Sequence, residues 1–159
     1  MSIQILAYGQ AIKTSHSHRL IIEGFNETRL GYNFHTSGID LSFTGSILDF
    51  SKRSSSVQGA IAIGKVFRIQ DSVDITIGPK LLASHTSKTM VNDVSYSSET
   101  FLPSLTIGGQ RPFSRFIVGG TIGLNYWEIT RYNYQFAERT WYPNRRMNLT
   151  ASFLLGIGL

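Results

Sequence analysis

The chain has 159 residues, of which 42% are hydrophobic and 16% are charged, and it contains 15 glycines and no cysteine. This length fits one domain with its own core, and the charged fraction lies well below the roughly 25% of an average soluble domain. The lack of cysteine excludes disulfides and thiolate chemistry. The net charge is +5, but neither a run of Lys and Arg nor an RNA-binding signature accompanies it, so we expect no nucleic-acid partner.

Apolar and polar residues alternate along most of the chain, and turn residues separate the alternating segments, which indicates an all-β protein. We predict eight strands, at residues 2–14, 19–35, 39–50, 57–69, 73–87, 99–110, 115–136 and 146–159. Short connectors (36–38, 70–71 and 111–114) alternate with mostly longer ones (51–56, 88–98 and 137–145). Because no linker or change in composition divides the chain, residues 1–159 are predicted to form a single domain.

The stretch FIVGGTIGLNYW, residues 116–127, shows the alternation most clearly. Its large apolar residues share one face of the predicted strand, whereas Gly, Thr and Asn occupy the other face. A soluble barrel would turn the apolar face inward, and a membrane barrel would turn it outward to lipid. The second face decides between them. It is mostly Gly, Ser, Thr, Ala and Asn, which suits the narrow lumen of an eight-stranded barrel better than a surface exposed to water.

The second face also carries a few charges of both signs, which could pair inside a closed lumen. We predict that these residues form a polar network there: Glu23, Glu27, Arg29, Asp40, Arg68, Asp74 and Lys80. The predicted fold is therefore an all-β, eight-stranded, antiparallel up-and-down transmembrane β-barrel.

Three stretches carry a resemblance to a known family: LSFTGSILDFSK, QGAIAIGKVFRIQDSVDITIGPKLLASH and RFIVGGTIGLNYWEI. Their glycine-studded alternating strands, with two-residue turns on one side and polar loops on the other, resemble the small eight-stranded outer-membrane barrels of the OmpX/Ail type. The resemblance implies a bacterial outer-membrane protein whose signal peptide has been removed from this chain. It also implies short turns facing the periplasm and longer loops facing outward.

The predicted outer loop of the last hairpin is rich in Arg, Trp and Tyr, a composition found at binding hot spots. Arg also binds phosphate or sulfate with two hydrogen bonds. We predict a surface site for lipopolysaccharide phosphates, or for a host or matrix ligand, formed by Arg131, Arg139, Trp141, Tyr142, Arg145 and Arg146. The alternative is an aromatic girdle at the membrane surface with a solvated loop above it.

A different chemistry is open to His85, Ser87 and Glu99, which share the predicted lipid-facing parity at the two ends of one outer loop. A serine activated by a histidine, with a carboxylate to orient the imidazole, is a hydrolytic triad. The arrangement resembles the His-x-Ser motif and later Glu of PagL-type lipid A deacylases. That family has Asn after the Ser, whereas Lys88 stands here, so these residues are an alternative catalytic site rather than our main prediction.

The main predicted function is a small outer-membrane barrel with a structural or adhesive surface role and no open pore, and not an enzyme. An outer-membrane lipid A ester hydrolase is the alternative, and a soluble lipocalin-like barrel with an apolar ligand inside is the third. We expect a monomer that contacts outer-membrane lipid, with no cofactor and no metal site. Residues His16 and His18 lack a third metal ligand nearby in sequence.

Overall fold

The structure of the chain is a computed structural model. It describes residues 17–24, 28–51, 54–69, 73–89, 95–125, 127–134, 140–144 and 147–159. For residues 47–51, 89, 95–96, 131–134 and 140–144 it describes the backbone alone. Among all described residues, no helix has the length and hydropathy needed to cross a membrane.

The described residues form ten β-strand segments, each rich in the β-branched and aromatic residues that suit a pleated sheet. The segments are β1 (His18–Gly24), β2 (Arg29–His35), β3 (Ile39–Ser51), β4 (Ser54–Ile69), β5 (Val73–Thr89), β6 (Ser95–Phe113), β7 (Phe116–Asn125), β8 (Glu128–Tyr134), β9 (Thr140–Asn144) and β10 (Asn148–Gly158).

These ten segments occupy eight positions around one closed antiparallel barrel. Strand β6 pairs with β7 along its second half and with β8 along its first half, so β7 and β8 are successive parts of one barrel strand. Strands β10 and β9 share a position in the same way, because β7 pairs with β10 and β8 pairs with β9. Pairing of β1 with β10 closes the ring. The predicted eight-stranded antiparallel barrel is therefore confirmed.

The predicted strand over residues 19–35 is wrong, since this stretch is the β1–β2 hairpin. Outward apolar residues fall at even numbers in both halves, so the alternation runs through the turn without a break. The segment GFNET, residues 24–28, contains Gly and Asn, which favour turns, and this composition argues against one long strand. The predicted strand at 2–14 lies outside the described residues, and the described strands close the barrel without it.

Several strands also extend further than the alternation predicts. Strand β5 reaches Thr89 and β6 begins at Ser95, so much of the predicted 88–98 connector is sheet. Residues 140–144, predicted as loop, form β9. The predicted turn at 111–114 is displaced to residues 114–115, where Ser114 has a φ of 58°, as the first residue of a type II′ hairpin turn requires.

The strands are strongly staggered. Following paired residues from Ile22 one way round the barrel leads to Phe101 of β6, and the other way leads to Arg111, ten residues further along the same strand. For eight strands this stagger corresponds to a tilt of about 40° from the barrel axis. Such a barrel is narrow, and neighbouring backbones approach closely at Gly78, where an added Cβ would lie 2.0 Å from the carbonyl oxygen of Ile63.

Closure places the apolar face outside and the polar face inside. Outward side chains such as Leu105, Phe116 and Ile122 are 56%, 62% and 62% exposed, respectively. Among the described residues, the buried hydrophobic side chains are Ile21, Ala60, Val66 and Ile117, whereas ten polar or charged residues are buried. This is the reverse of a soluble barrel, whose core is apolar and whose surface is charged.

Candidate functional site: the polar lumen

The polar side chains of the lumen form two clusters at different heights. The lower cluster lies near the end where residues 36–38 and 114–115 connect the strands, which we call the tight-turn end. The upper cluster lies about halfway along the lumen. Both exist because inward-facing positions of neighbouring strands fall at the same height, which brings distant parts of the chain together.

The lower cluster is built around His35, whose side chain is 3% exposed. Its Nδ1 lies 2.6 Å from Asp40 Oδ2, and its Nε2 lies 2.9 Å from Asp74 Oδ2. Both ring nitrogens therefore face carboxylates from two different strands, β3 and β5. The side chain of His35, which stands on β2, therefore joins three strands through the lumen.

Cations and amides complete the lower cluster. Arg68 donates through Nε to Asp74 Oδ1 at 2.8 Å and through an Nη to Asp74 Oδ2 at 3.2 Å, a two-pronged contact. Arg19 donates to Gln110 Oε1 at 3.0 Å, and Gln110 Nε2 lies 3.4 Å from Asp40 Oδ2. The cluster thus joins residues of β1 through β6 and fills the lumen near the tight-turn end.

The upper cluster is built around Glu23, which is 4% exposed. The ammonium of Lys80 donates to Glu23 Oε1, and the hydroxyl of Ser152 donates to the same oxygen at 2.9 Å. Arg29 Nε lies 3.7 Å from Glu23 Oε2, and an Arg29 Nη donates to Gln58 Oε1 at 3.4 Å. One carboxylate therefore stands between two buried cations.

Two spaces adjoin the clusters. An internal cavity of about 60 Å³ lies between them, bordered by Glu23 and Lys80 above and by Asp40 and Gln110 below. A larger space of about 500 Å³, which we call the vestibule, begins at Arg29 and Lys80 and extends away from the tight-turn end. Counting the described residues alone, the lumen is filled near the tight-turn end and hollow toward the other end.

Six of the seven predicted lumen residues lie in these two clusters: Glu23, Arg29 and Lys80 in the upper one, and Asp40, Arg68 and Asp74 in the lower one. The seventh, Glu27, lies outside the described residues. The sequence analysis missed Arg19, His35 and Gln110. Their parity was the available signal, because each occupies an inward-facing position in the alternation of its strand.

The alternative catalytic residues lie together on the outer face. His85 and Glu99 are directly opposite each other on β5 and β6, and His85 Nδ1 lies 3.9 Å from Glu99 Oε1, beyond hydrogen-bonding distance. Ser87 shares this face, but no hydrogen bond among the described residues joins it to His85. The imidazole therefore does not bridge Ser87 and Glu99 as a triad requires.

The described part of the predicted surface site lies at the end opposite the tight turns. The backbone pairs Arg131 with Trp141 and Thr130 with Tyr142 across β8 and β9. Arg131 is also opposite Glu99 of β6, so the backbone register places Arg131 and Trp141 in the same cross-strand row as His85 and Glu99. Of the predicted site residues, Arg131, Trp141 and Tyr142 are described by their backbone alone, and Arg139, Arg145 and Arg146 lie outside the described residues.

Comparisons with known proteins find similarity at the level of structure. No protein-family model matches the chain, and no curated protein matches it. The chain is similar to a crystal structure of Acinetobacter baumannii CarO2, with 9% identity and a TM-score of 0.42 over 90% of this chain and 97% of that one. It is also similar to Acinetobacter baumannii CarO, with 8% identity and a TM-score of 0.40 over 88% and 94% of the two chains. These two structures do not test the resemblance to the OmpX/Ail type or to the PagL type, so both resemblances stay predictions.

The lower cluster makes a prediction about stability. Replacing Asp74 with Asn removes the negative charge that faces both His35 and Arg68, so we expect the free energy of unfolding to fall by on the order of 3 kcal/mol. Glu99→Gln is the matched control on the exposed outer face and should change it by less than about 1 kcal/mol. Denaturant unfolding of both variants, followed by tryptophan fluorescence, gives the comparison. Equal losses of unfolding free energy in the two variants would show that the buried cluster stabilises the barrel no more than the exposed Glu99 does.

Proposed function

We propose that this protein is a small barrel of a bacterial outer membrane, with its apolar outer face in contact with lipid. The observation that carries the proposal is the inverted distribution of polarity: large apolar side chains cover the outside, while the charges pair in the lumen. In water such a surface would favour aggregation. In a bilayer it is the arrangement that a transmembrane barrel needs.

The height of the apolar belt supports the same proposal. On β6 the outward residues from Phe101 to Phe113 are apolar except for Arg111, and this segment rises about 30 Å at the estimated tilt. A bilayer's hydrocarbon core has about that thickness. Above Phe101 the outer face turns polar at Glu99. Arg111 and Lys65 lie toward the tight-turn end over Phe113 and Phe67, respectively, at 5.1 and 5.4 Å, where long side chains can reach the membrane surface.

Substitutions at two exposed residues can show whether lipid or water surrounds the barrel. Ile122 and Phe116 are both 62% exposed on β7, but Phe116 adjoins the tight turn and Ile122 lies six residues further into the belt. In a bilayer, Ile122→Lys should cost about 2–4 kcal/mol and Phe116→Lys about 0–1 kcal/mol. Unfolding from phospholipid vesicles measures both. Similar small effects at both positions, or folding of the wild type without detergent or lipid, would exclude the membrane proposal.

The lumen should not conduct ions freely. Side chains from β1 to β6 fill it near the tight-turn end, where His35, Asp40, Asp74 and Gln110 contact one another. A hydrated ion would have to break several buried ion pairs and hydrogen bonds to pass. We therefore propose a closed barrel, whose role is structural or is performed at its outer rim.

Reconstitution in a planar bilayer tests the closed lumen. We expect the wild-type protein to give no steady single-channel current. The variant Asp74→Ala, which removes a partner of both His35 and Arg68, should give brief openings if the lower cluster is the barrier. A steady current through the wild type would contradict the closed-barrel proposal.

For the surface role, we propose that the predicted surface site at the β8–β9 end binds an anionic surface ligand, with lipopolysaccharide phosphate as the first candidate. Support comes from the chemistry of Arg131, Arg139, Trp141, Tyr142, Arg145 and Arg146 and from the backbone register that groups Arg131 with Trp141. Arg recognises phosphate with paired hydrogen bonds, and Trp or Tyr adds rigid contact area.

Surface binding and lipid A hydrolysis predict different mutational effects. Replacing Arg139, Trp141, Arg145 and Arg146 together should weaken binding to immobilised lipopolysaccharide about tenfold or more. Ser87→Ala should leave both binding and lipid A acylation unchanged, because His85 does not bridge Ser87 and Glu99. Mass spectrometry of lipid A from cells expressing each variant gives the second readout. Loss of one acyl chain that depends on Ser87 would make the protein a hydrolase instead.

A further inference from the structure

The barrel wall is uneven in height. Strand β1 pairs with residues 153–158 of β10, and β2 pairs with residues 40–45 of β3, and up to this level the ring has no free edge. Beyond it, residues 148–152 of β10 and 46–51 of β3 continue as strand, but among the described residues each stretch has a paired neighbour on one side only. We call the gap between these two stretches, above the β1–β2 hairpin, the notch.

The notch lies at the depth of the lipid hydrocarbon. The row of paired residues through Ile22 reaches Phe101 after five strands in one direction and Arg111 after three strands in the other. At a tilt of about 40°, each strand raises this row by about 3 Å, so Gly24 at the end of β1 lies about 10 Å below Phe101, where the apolar belt ends. The connection between β1 and β2, residues 25–28, is too short to supply strand partners along both edges.

The vestibule reaches into the notch. Its boundary includes Leu149 and Ala151, which have outward parity on β10, as well as Thr150 and Ser152, which have inward parity. A space enclosed by paired strands contacts inward side chains alone, because successive side chains point to opposite faces and a neighbouring strand covers each edge. In the described part of the chain, the vestibule is therefore bordered by the edge of β10 and is open to the side, toward lipid.

An open strand edge at this depth needs hydrogen-bonding partners. The backbone groups of residues 148–152 that point into the notch face no paired strand among the described residues, and lipid chains offer no donor or acceptor. A molecule in the notch that both donates and accepts hydrogen bonds would supply the partners.

Three hydroxyl groups of the vestibule wall favour a ligand that donates hydrogen bonds. Ser104, Thr106 and Thr150 line the vestibule, and each donates to a backbone carbonyl oxygen, at 3.1, 2.9 and 3.3 Å, respectively. Because a hydroxyl has a single hydrogen, each of these oxygens has only lone pairs left for a ligand. An ionised carboxylate only accepts and cannot pair with them, whereas the hydroxyls of a ligand can donate to them.

An apolar pair faces the notch across the lumen. In a ring of eight strand positions, β5 and β6 stand opposite β1 and β2. Leu82 of β5 and Leu102 of β6 are directly opposite each other in the register, and both line the vestibule. An alkyl chain that enters through the notch therefore meets these two side chains on the far wall, where it can bury apolar surface.

We propose that the vestibule binds a single-chain amphiphile with a hydroxylated head group, which enters from the membrane through the notch. Its hydroxyls donate to the three wall oxygens, and its alkyl chain packs on Leu82 and Leu102 and extends through the notch into lipid. The volume of about 500 Å³ lies in the range of about 300–1,000 Å³ that is usual for small-molecule sites. The proposal rests on the membrane location proposed above and leaves the tight-turn end of the lumen closed.

Photolabelling of the full chain in phosphatidylcholine vesicles tests the proposal. The probe is a monopalmitoylglycerol with a diazirine on its alkyl chain, and mass spectrometry maps the adducts. Leu82 and Leu102 should be labelled to saturation, and unlabelled monopalmitoylglycerol should compete. Methyl palmitate, which has the same chain without hydroxyls, should compete at least about tenfold less well, because it cannot donate hydrogen bonds.

The lipid-facing residues Leu105 and Ile122 report on the membrane location separately. They should be labelled in proportion to the probe, without competition, because they contact bulk lipid. Labelling at these two positions but not in the vestibule would overturn the notch proposal and leave the membrane proposal intact. Labelling at neither would contradict the membrane location itself, and equal competition by methyl palmitate would overturn the hydroxylated head group.

Two adjacent leucines give a matched pair of variants for the apolar contact. Leu82 lines the vestibule, whereas Leu81 is 45% exposed on the outer face. Leu82→Ala should weaken the competed labelling of Leu102 about fivefold or more, because the chain loses apolar contact, and Leu81→Ala should leave it unchanged. Equal effects of the two substitutions would place the chain outside the vestibule.

A second pair of variants tests the route of entry. Ala151→Trp fills the notch from the edge of β10 without changing either ion-pair cluster, so it should abolish labelling of the vestibule while the barrel keeps its heat-modifiable migration in SDS gels. The control Ala83→Trp makes the same exchange on the outer face of β5, away from the notch, and should leave the labelling unchanged. Vestibule labelling that persists in a folded Ala151→Trp variant would show entry over the rim and overturn the notch as the route.

Discussion

The pairing of β1 with β10 is the interaction on which the rest of the structure depends. It joins His18–Gly24 to Asn148–Gly158, and by closing the sheet it removes both free edges, whose unpaired backbone groups would otherwise be exposed. Closure also decides which face of every strand is inside. Once the small, polar face is enclosed, the large apolar face must meet the solvent, and that requirement carries the membrane proposal.

Closure with a large stagger has a second consequence, because it makes the lumen narrow. Glycines and small hydroxyl residues fit most inward positions, and the few long polar side chains have to share the remaining space. They do so as mixed-charge clusters, in which Asp74 faces His35 and Arg68, and Glu23 faces Lys80 and Arg29. Each charge would be costly to bury alone, so the clusters form with their partners or not at all.

The two clusters divide the lumen into a filled part and a hollow part, which suit different functions. The lower cluster surrounds its two carboxylates with His35, Arg68 and Gln110 from neighbouring strands and fills the space, which suits a barrier. The upper cluster sets the carboxylate of Glu23 between Arg29 and Lys80 at the base of a hollow. The outer rim adds a third region, where the backbone alone places Arg131 beside Glu99 and Trp141.

The sequence by itself determined the fold class and the parity of the strands, because alternation with period two is a local property of a strand. It failed at residues 19–35, where the parity of the apolar residues continues through a turn. It also missed His35, since a single histidine acquires meaning only from what stands opposite it. The tertiary structure decided these points: the register around the closed barrel brings Asp40 and Asp74 to the two nitrogens of His35, and brings Arg29 and Lys80 to one carboxylate. Residues that meet across strands distant in the chain leave no local pattern, so only the folded barrel contains that information.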